Sequence, residues 1–286
     1  MNSFIESWAS KYDEEKYSTR FYFDLINKVH TSTNPEDLGS SIIHLLHWKD
    51  GKVYKSNMGQ VIVNGFSYSL GQPKPNTYNP KKHSRILTSK DFYNWARKVI
   101  EDNRFSCSHL EALRGSPFAL WSKSSIVIPA FVMHILSPKI YPLYDQHVER
   151  AKRALLAQTL NANSTELNID TYKCYQEYFL DLTKEYATRN SIEAYKKIDE
   201  ALWSFGKWLK GTSLINGGNR NKLIAKNENN TSAPDDAFKK QVLQLIDDGL
   251  TQLEAIKKTA VDRGVTLKDS YYIHPGSHIH RWRKQV

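Results

Sequence analysis

The sequence is poor in the features that usually announce a class of protein. Its 286 residues include only two cysteines, Cys107 and Cys174. That is too few for a disulfide framework or for a cysteine-held zinc or iron–sulfur site. A reducing, cytoplasmic setting is the expectation that follows. No apolar run approaches the roughly 18 residues that a membrane-spanning helix needs, so no membrane partner is expected. The first sixteen residues carry four acids (Glu6, Asp13, Glu14, Glu15) and no apolar block, and they do not read as a secretory signal. No internal repeat is visible at periods of roughly 20–50 residues. His44, His47, His83, His109 and His134 lack acidic partners at metal-ligand spacing, so neither a metal nor a cofactor is expected.

Basic charge and aromatic side chains are what the chain has in plenty. It carries 40 basic against 30 acidic residues, a net charge of +10 and a pI near 9.3. Such an excess favours polyanions through counterion release, nucleic acid ahead of anionic membrane. Hydrophobic residues make up 40%, with seven Trp and sixteen Tyr, enough for a sizeable core. At roughly 100–200 residues per domain, one large domain with a small appendage fits the length.

Periodicity makes the chain mainly α. Glu36 to Trp48 reads as a helix capped by Asp37, with Ile42, Ile43, Leu45 and Leu46 on one face. Lys52 to Leu70 alternates like short strands, with Gly59, Gly65 and Gly71 as turn points. Pro73 to Arg85 reads as a polar loop whose Lys81, Lys82 and Arg85 are suited to phosphates. A helix is expected from Ser89 to about Asn103. Ser125 to Leu136 is apolar all round, so it must be wrapped by other helices at the centre of the domain. Further helices are expected near Asp145–Leu156, Thr171–Tyr186 and Ser191–Leu209.

A compositional shift follows. Residues 211–233 are rich in Gly, Asn, Ser and Thr and read as a linker or basic arm carrying Arg220 and Lys222. Residues 234–286 read as a small helical unit. In it Asp235–Asp248 is amphipathic, and Thr251 to Glu254 is a capping box opening a second helix. Its last segment bunches Arg281, Arg283 and Lys284.

The chemistry centres on Asp145, a carboxylate at the start of a helix directly after the apolar one. As an N-cap it would accept hydrogen bonds from the first-turn amides. The helix dipole would hold it charged and fixed. Such a carboxylate can also stabilise an oxocarbenium-like sugar or orient a water. The two roles are compatible.

Trp121-Ser122-Lys123-Ser124, the apolar helix, then Tyr144-Asp145-Gln146-His147-Val148 resembles the catalytic centre of the helix-hairpin-helix DNA glycosylase superfamily. Ile198 to Gly206 is similar to the closing helix of some bacterial members. The likeness spans about residues 20–210, with its sharp part near Trp121–Val148. The spacing from Lys123 is 145 − 123 = 22 residues, slightly longer than the family's, and Ser137 to Tyr141 would absorb the excess. The family's Gly-x-Gly turn ahead of the lysine is replaced by Gly115-Ser116-Pro117-Phe118-Ala119-Leu120-Trp121, so the hairpin is remodelled or phosphate is gripped elsewhere. The family's cysteine-ligated cluster is absent from the sequence as well.

Separately, residues 234–286 resemble a helix-turn-helix-like DNA-binding module, with Glu254–Ala260 as its positioning helix and Ile279–Lys284 as its reading helix. The glycosylase resemblance implies a helix-hairpin-helix glycosylase-like helical domain at 1–210. It implies Asp145 as the essential carboxylate and Lys123 as an amine nucleophile, its pKa lowered by a helix N-terminus and partial burial. Trp48, Trp121, Tyr144 and Trp203 become candidates for the pocket or wedge that base flipping demands. Double-stranded DNA is the expected partner of a monomer. The rival readings are a DNA-binding regulator on an inactive scaffold and, without paired carboxylates to support it, a metal-dependent nuclease.

Overall fold

A computed structural model describes residues 2–156, 166–186, 191–216, 234–265, 267, 271 and 275–283. The described residues are mainly helical, with thirteen helices and one three-stranded sheet. The order is α1 (Asn2–Ala9), α2 (Thr19–Thr31), α3 (Pro35–Lys49), β1 (Val53–Lys55), β2 (Val61–Val63), β3 (Phe66–Leu70), α4 (Pro80–Leu87), α5 (Lys90–Asp102) and α6 (Cys107–Arg114). Then come α7 (Val127–Leu136), α8 (Gln146–Leu155), α9 (Ile169–Tyr186), α10 (Ile192–Asn216), α11 (Asp236–Asp247), α12 (Gln252–Asp262) and α13 (Pro275–Trp282). No helix among the described residues is long and apolar enough to cross a membrane.

Most boundaries follow local capping chemistry. Ser89, Asp145, Asp235 and Thr251 each accept an amide hydrogen bond at a helix start, and Thr251 with Glu254 closes the expected capping box. Three expectations shift. Asn34, not Asp37, caps α3, because Pro35 fits the first helical position and Asp37 itself donates its amide to Asn34. Asn79-Pro80 repeats this device, so Lys81, Lys82 and Arg85 stand on the exposed side of a helix rather than in a loop. Helix α10 runs on to Asn216, six residues past the boundary expected at 210. Residues 217–233, with Arg220 and Lys222, lie outside the described residues, as does Lys284.

The sheet has the order β1-β3-β2, both pairs antiparallel. Val63 pairs with Phe66 across Asn64-Gly65, both at positive φ (45° and 80°), the two-residue turn whose twist suits a hairpin. In the core, α7 is buried from Ile128 to Leu136, as its all-round apolarity demanded. Here His134 bridges the Tyr22 hydroxyl (2.5 Å) and the Tyr141 carbonyl (2.7 Å). Burial chiefly lowers its pKa to about 3, opposed by the Tyr141 hydrogen bond. The unfolded chain therefore binds a proton that the folded one refuses. The contribution is complete above the ordinary histidine pKa and is lost as pH falls from about 6.5 toward about 3. Chemical unfolding of His134→Gln should lose less stability than wild type over that interval. A parallel loss in both proteins would refute this.

The described residues from 234 onward gather a second core of Phe238, Val242, Ala255, Ile256, Ala260, Leu267, Ile279 and Trp282. It meets α1 through polar contacts: Trp8 Nε1 donates to the Val261 carbonyl (2.9 Å) and the Lys11 ammonium to that of Gly264. Between α12 and α13, Tyr271 is helical, and residues 266, 268–270 and 272–274 lie outside the described residues. Arg281 and Arg283 are exposed on and just after α13, and Arg283 lies 3.9 Å from Asp247.

Candidate functional site

Asp145 sits where a clamped connector meets a helix. After Ser137 ends α7, the backbone to Tyr144 is held by His134 on the Tyr141 carbonyl and by Tyr172 on that of Pro142 (3.1 Å). Gln176 adds a hydrogen bond to that of Ile140 (3.2 Å). Asp145 then adopts extended backbone, and its Oδ1 accepts from His147 N (2.7 Å) and Val148 N (3.2 Å). The N-cap role is therefore present. It employs one oxygen only.

Oδ2 faces a residue the sequence did not single out. Lys49 Nζ lies 3.8 Å away, with side-chain exposures of 17% for Lys49 and 16% for Asp145. Lys49 ends α3, where the helix dipole favours a cation. Its ammonium stands 5.6 Å from the Phe131 ring centroid on α7. A lysine in the last turn of an amphipathic helix is ordinary in sequence. Only the packing of α3 and α7 beside the start of α8 makes it Asp145's partner.

Aromatic side chains wall this ion pair. Tyr17 packs edge-on against Trp48 (5.9 Å) and Trp203 (5.5 Å), and Trp203 also meets Tyr12 (5.7 Å) and His147 (5.5 Å). Tyr17 and Trp203 are half-buried, whereas Trp48 is buried against Phe131 and donates to the Ser18 carbonyl (3.0 Å). Burial raises the Tyr17 pKa, helped by the carboxylates of Asp13, Asp145 and Asp50. His147 is pushed down by burial against the pull of Asp145. Both remain neutral at ordinary pH.

Behind the wall lies a second lysine. Lys196 is buried, 3.2 Å from both Asp199 and Glu200, with its ammonium 4.2 Å from the Tyr12 ring centroid and 5.6 Å from that of Trp48. Burial opposes its charge, but Tyr12 and the two carboxylates outweigh that and raise its pKa. Asp199 is pushed up to about 6 by burial, against Lys196. An unpaired charge here would cost several kcal/mol, so the network fixes the backs of Tyr12 and Trp48.

Helix α10 brings Trp203 to this place because Gly206 lets it touch α8. A Cβ at Gly206 would lie 1.9 Å from the His147 carbonyl oxygen, and Arg150 Nη1 donates to the Gly206 carbonyl (3.0 Å). Backbone cannot yield as a side chain can. Gly206→Ala should therefore lower stability by about 1–3 kcal/mol or more and displace Trp203 from Asp145. Denaturant unfolding and tryptophan fluorescence read both effects, and wild-type behaviour in both would refute the packing argument.

The expected site residues divide. Asp145, Trp48 and Trp203 come together. Trp121 does not; it is buried against His83 (5.1 Å) and donates to the Thr77 carbonyl (3.2 Å), away from any role as a wedge. Tyr144 is likewise buried, its hydroxyl donating to Thr171 (2.9 Å), its ring packed on Tyr172 and Tyr175. Both have satisfied polar atoms and no free face, which is why they serve the core.

Lys123 lies in a turn three residues before Ile126, the residue that leads into α7, and it is exposed. The partial burial expected to depress its pKa is not found. Among the described residues, no hydrogen bond or ion pair joins it to Asp145. The connector from Gly115 folds back on α6, with Phe118 N on the Ala112 carbonyl (3.2 Å) and Trp121 N on that of Leu113 (3.2 Å). Ala119 takes a left-handed conformation (φ 47°) in place of a glycine. No group of histidine, cysteine and acidic side chains suited to a metal occurs among the described residues. Comparison with protein-family models, with characterised proteins and with solved structures gives no match.

Proposed function

We propose that this chain is a DNA glycosylase of the helix-hairpin-helix type. It would hydrolyse the N-glycosidic bond of a damaged or modified base after base flipping, leaving an abasic site, in base-excision repair or in defence against phage DNA with modified bases. The observation that carries this reading is the division of labour at Asp145. One oxygen is fixed by two amides, and the other is turned toward Lys49 beside the rings of Tyr17, Trp48 and Trp203. The pairing of α6 and α7 ahead of α8 and the excess basic charge support it.

In this reading the extruded base packs against Tyr17 and Trp203, the half-buried members of the wall. Stacking there offsets the few kcal/mol that unstacking costs. The Asp145 carboxylate faces C1′ and stabilises the positive charge that develops as the C1′–N bond breaks. The bond's electron pair leaves with the base, which takes up a proton from solvent. Water adds to C1′, and its proton passes to Asp145, which returns it to solvent. Lys49 neutralises the carboxylate at rest and is the amine within reach of the same sugar carbon.

The test incubates the protein in chelator with labelled duplexes carrying varied bases, and with phage genomic DNA, then treats them with alkali. Strand breaks revealed by alkali support the reading. Breaks that require a divalent metal indicate a nuclease. Salt-sensitive binding without breaks on any substrate indicates a regulator.

A further inference from the structure

Four of the five large apolar side chains that stand exposed among the described residues belong to the small sheet: Tyr54, Met58, Ile62 and Phe66. The sheet has two unlike faces. Val53, Val63 and Tyr68 are buried, with Tyr68 on Phe21 (4.7 Å). On the other face Tyr54 lies opposite Ser69, and Ile62 opposite Ser67. The Ser67 hydroxyl accepts from Gly59 N (2.8 Å), which pins the β1–β2 connection and leaves Met58 outermost. Met58 is 93%, Ile62 73% and Tyr54 51% exposed. Phe66 is different, because the Arg20 guanidinium covers its ring at 3.7 Å.

An exposed apolar patch marks a contact surface, and the charge around this one selects the partner. Between Gly51 and Lys90 the sequence has seven lysines and arginines and no acid. Lys74, in the loop after β3, is exposed, whereas Lys55 pairs with Tyr68 and so belongs to the sheet's other face. The sheet also hangs from the helix end that carries Lys49. Asp50 accepts from Lys74 N (2.6 Å) and from the Thr77 hydroxyl (3.1 Å), tying the loop after β3 to the end of α3.

We propose that the outer face of this sheet is a DNA-contacting wedge. Tyr54, Met58 and Ile62 insert against base and sugar edges of the duplex next to the extruded nucleotide, while Lys74 holds one of its phosphates. The inference rests on the DNA reading above. Apolar wedges of this kind unstack base steps and bend the duplex, and the exposed bend repays the cost in further contacts.

The experiment uses the full chain and short fluorescent duplexes, one fully paired and one with a tetrahydrofuran abasic analogue, with anisotropy read over a range of salt. Met58→Ser with Ile62→Ser should weaken binding to the abasic duplex about tenfold and leave the salt slope unchanged. Lys74→Ala should reduce the slope by about one. All three residues are on the surface, so an unchanged Tm verifies the fold. Wild-type affinity in the double variant together with a wild-type slope in Lys74→Ala overturns the proposal. So does binding of wild type to phosphatidylserine vesicles that Met58→Ser with Ile62→Ser abolishes while DNA binding stays intact. If wild type binds and cleaves DNA but the variants bind as it does, only the wedge fails. If wild type binds no duplex, the DNA reading fails with it.

Discussion

Asp145→Asn should abolish base release while DNA binding and thermal stability stay close to wild type. The substitution is chosen for what it preserves. Asparagine caps a helix about as well as aspartate, so the hydrogen bonds from His147 and Val148 to Oδ1 survive. What is lost is the negative charge at Oδ2, beside Lys49. A positioned carboxylate of this kind contributes about 10²–10⁴-fold to rate. Asp145→Ala would confound the result, since losing a cap costs about 1 kcal/mol of stability. The measurement is single-turnover base release on the duplex that wild type processes best, with anisotropy and Tm as controls. Undiminished release by Asp145→Asn would reduce Asp145 to a helix cap. Loss of release together with loss of folding would be answered by the binding control.

Reductive trapping on a duplex with a natural abasic site should give a covalent adduct with wild type and with Lys123→Ala, and none with Lys49→Gln. The ring-opened abasic sugar presents an aldehyde at C1′. For Lys49 to add, its ammonium must first give a proton to Asp145, which is 3.8 Å away. The amine then attacks C1′, water leaves, and borohydride supplies the hydride that fixes the imine as a secondary amine. Lys123 stands exposed in a turn with no such proton acceptor bonded to it among the described residues. Glutamine retains much of the Lys49 stem beside Phe131 and removes only the nucleophile. An adduct that persists in Lys49→Gln and vanishes in Lys123→Ala would return the role to Lys123. Base release with no adduct in any protein would leave Lys49 as the counterion of a hydrolytic enzyme.

The sequence alone determined the mainly helical class, the buried α7, the short strands, the helix starts at Ser89 and Asp235 and the caps at Asp145 and Thr251. These are decided within a few residues, by periodicity, by Asn-Gly turns and by side chains that reach their own backbone. It also placed Asp145 at the start of a helix, because a carboxylate after an apolar helix is a local pattern. Composition misjudged the stretch around Pro80, where polarity read as loop and the Asn79-Pro80 start went unrecognised. It likewise could not show that α10 continues to Asn216. The tertiary structure decided which residues face Asp145. Lys49 lies 96 residues earlier and carries no local mark of its role, and Trp203, 58 residues later, was a candidate only through the resemblance. Trp121 and Tyr144, close to the motif in sequence, were turned into the core because their hydrogen-bonding atoms found partners there. Proximity along the chain fixes a cap. Proximity to a carboxylate across three helices is fixed by packing, down to the missing Cβ at Gly206 that lets α10 rest on α8.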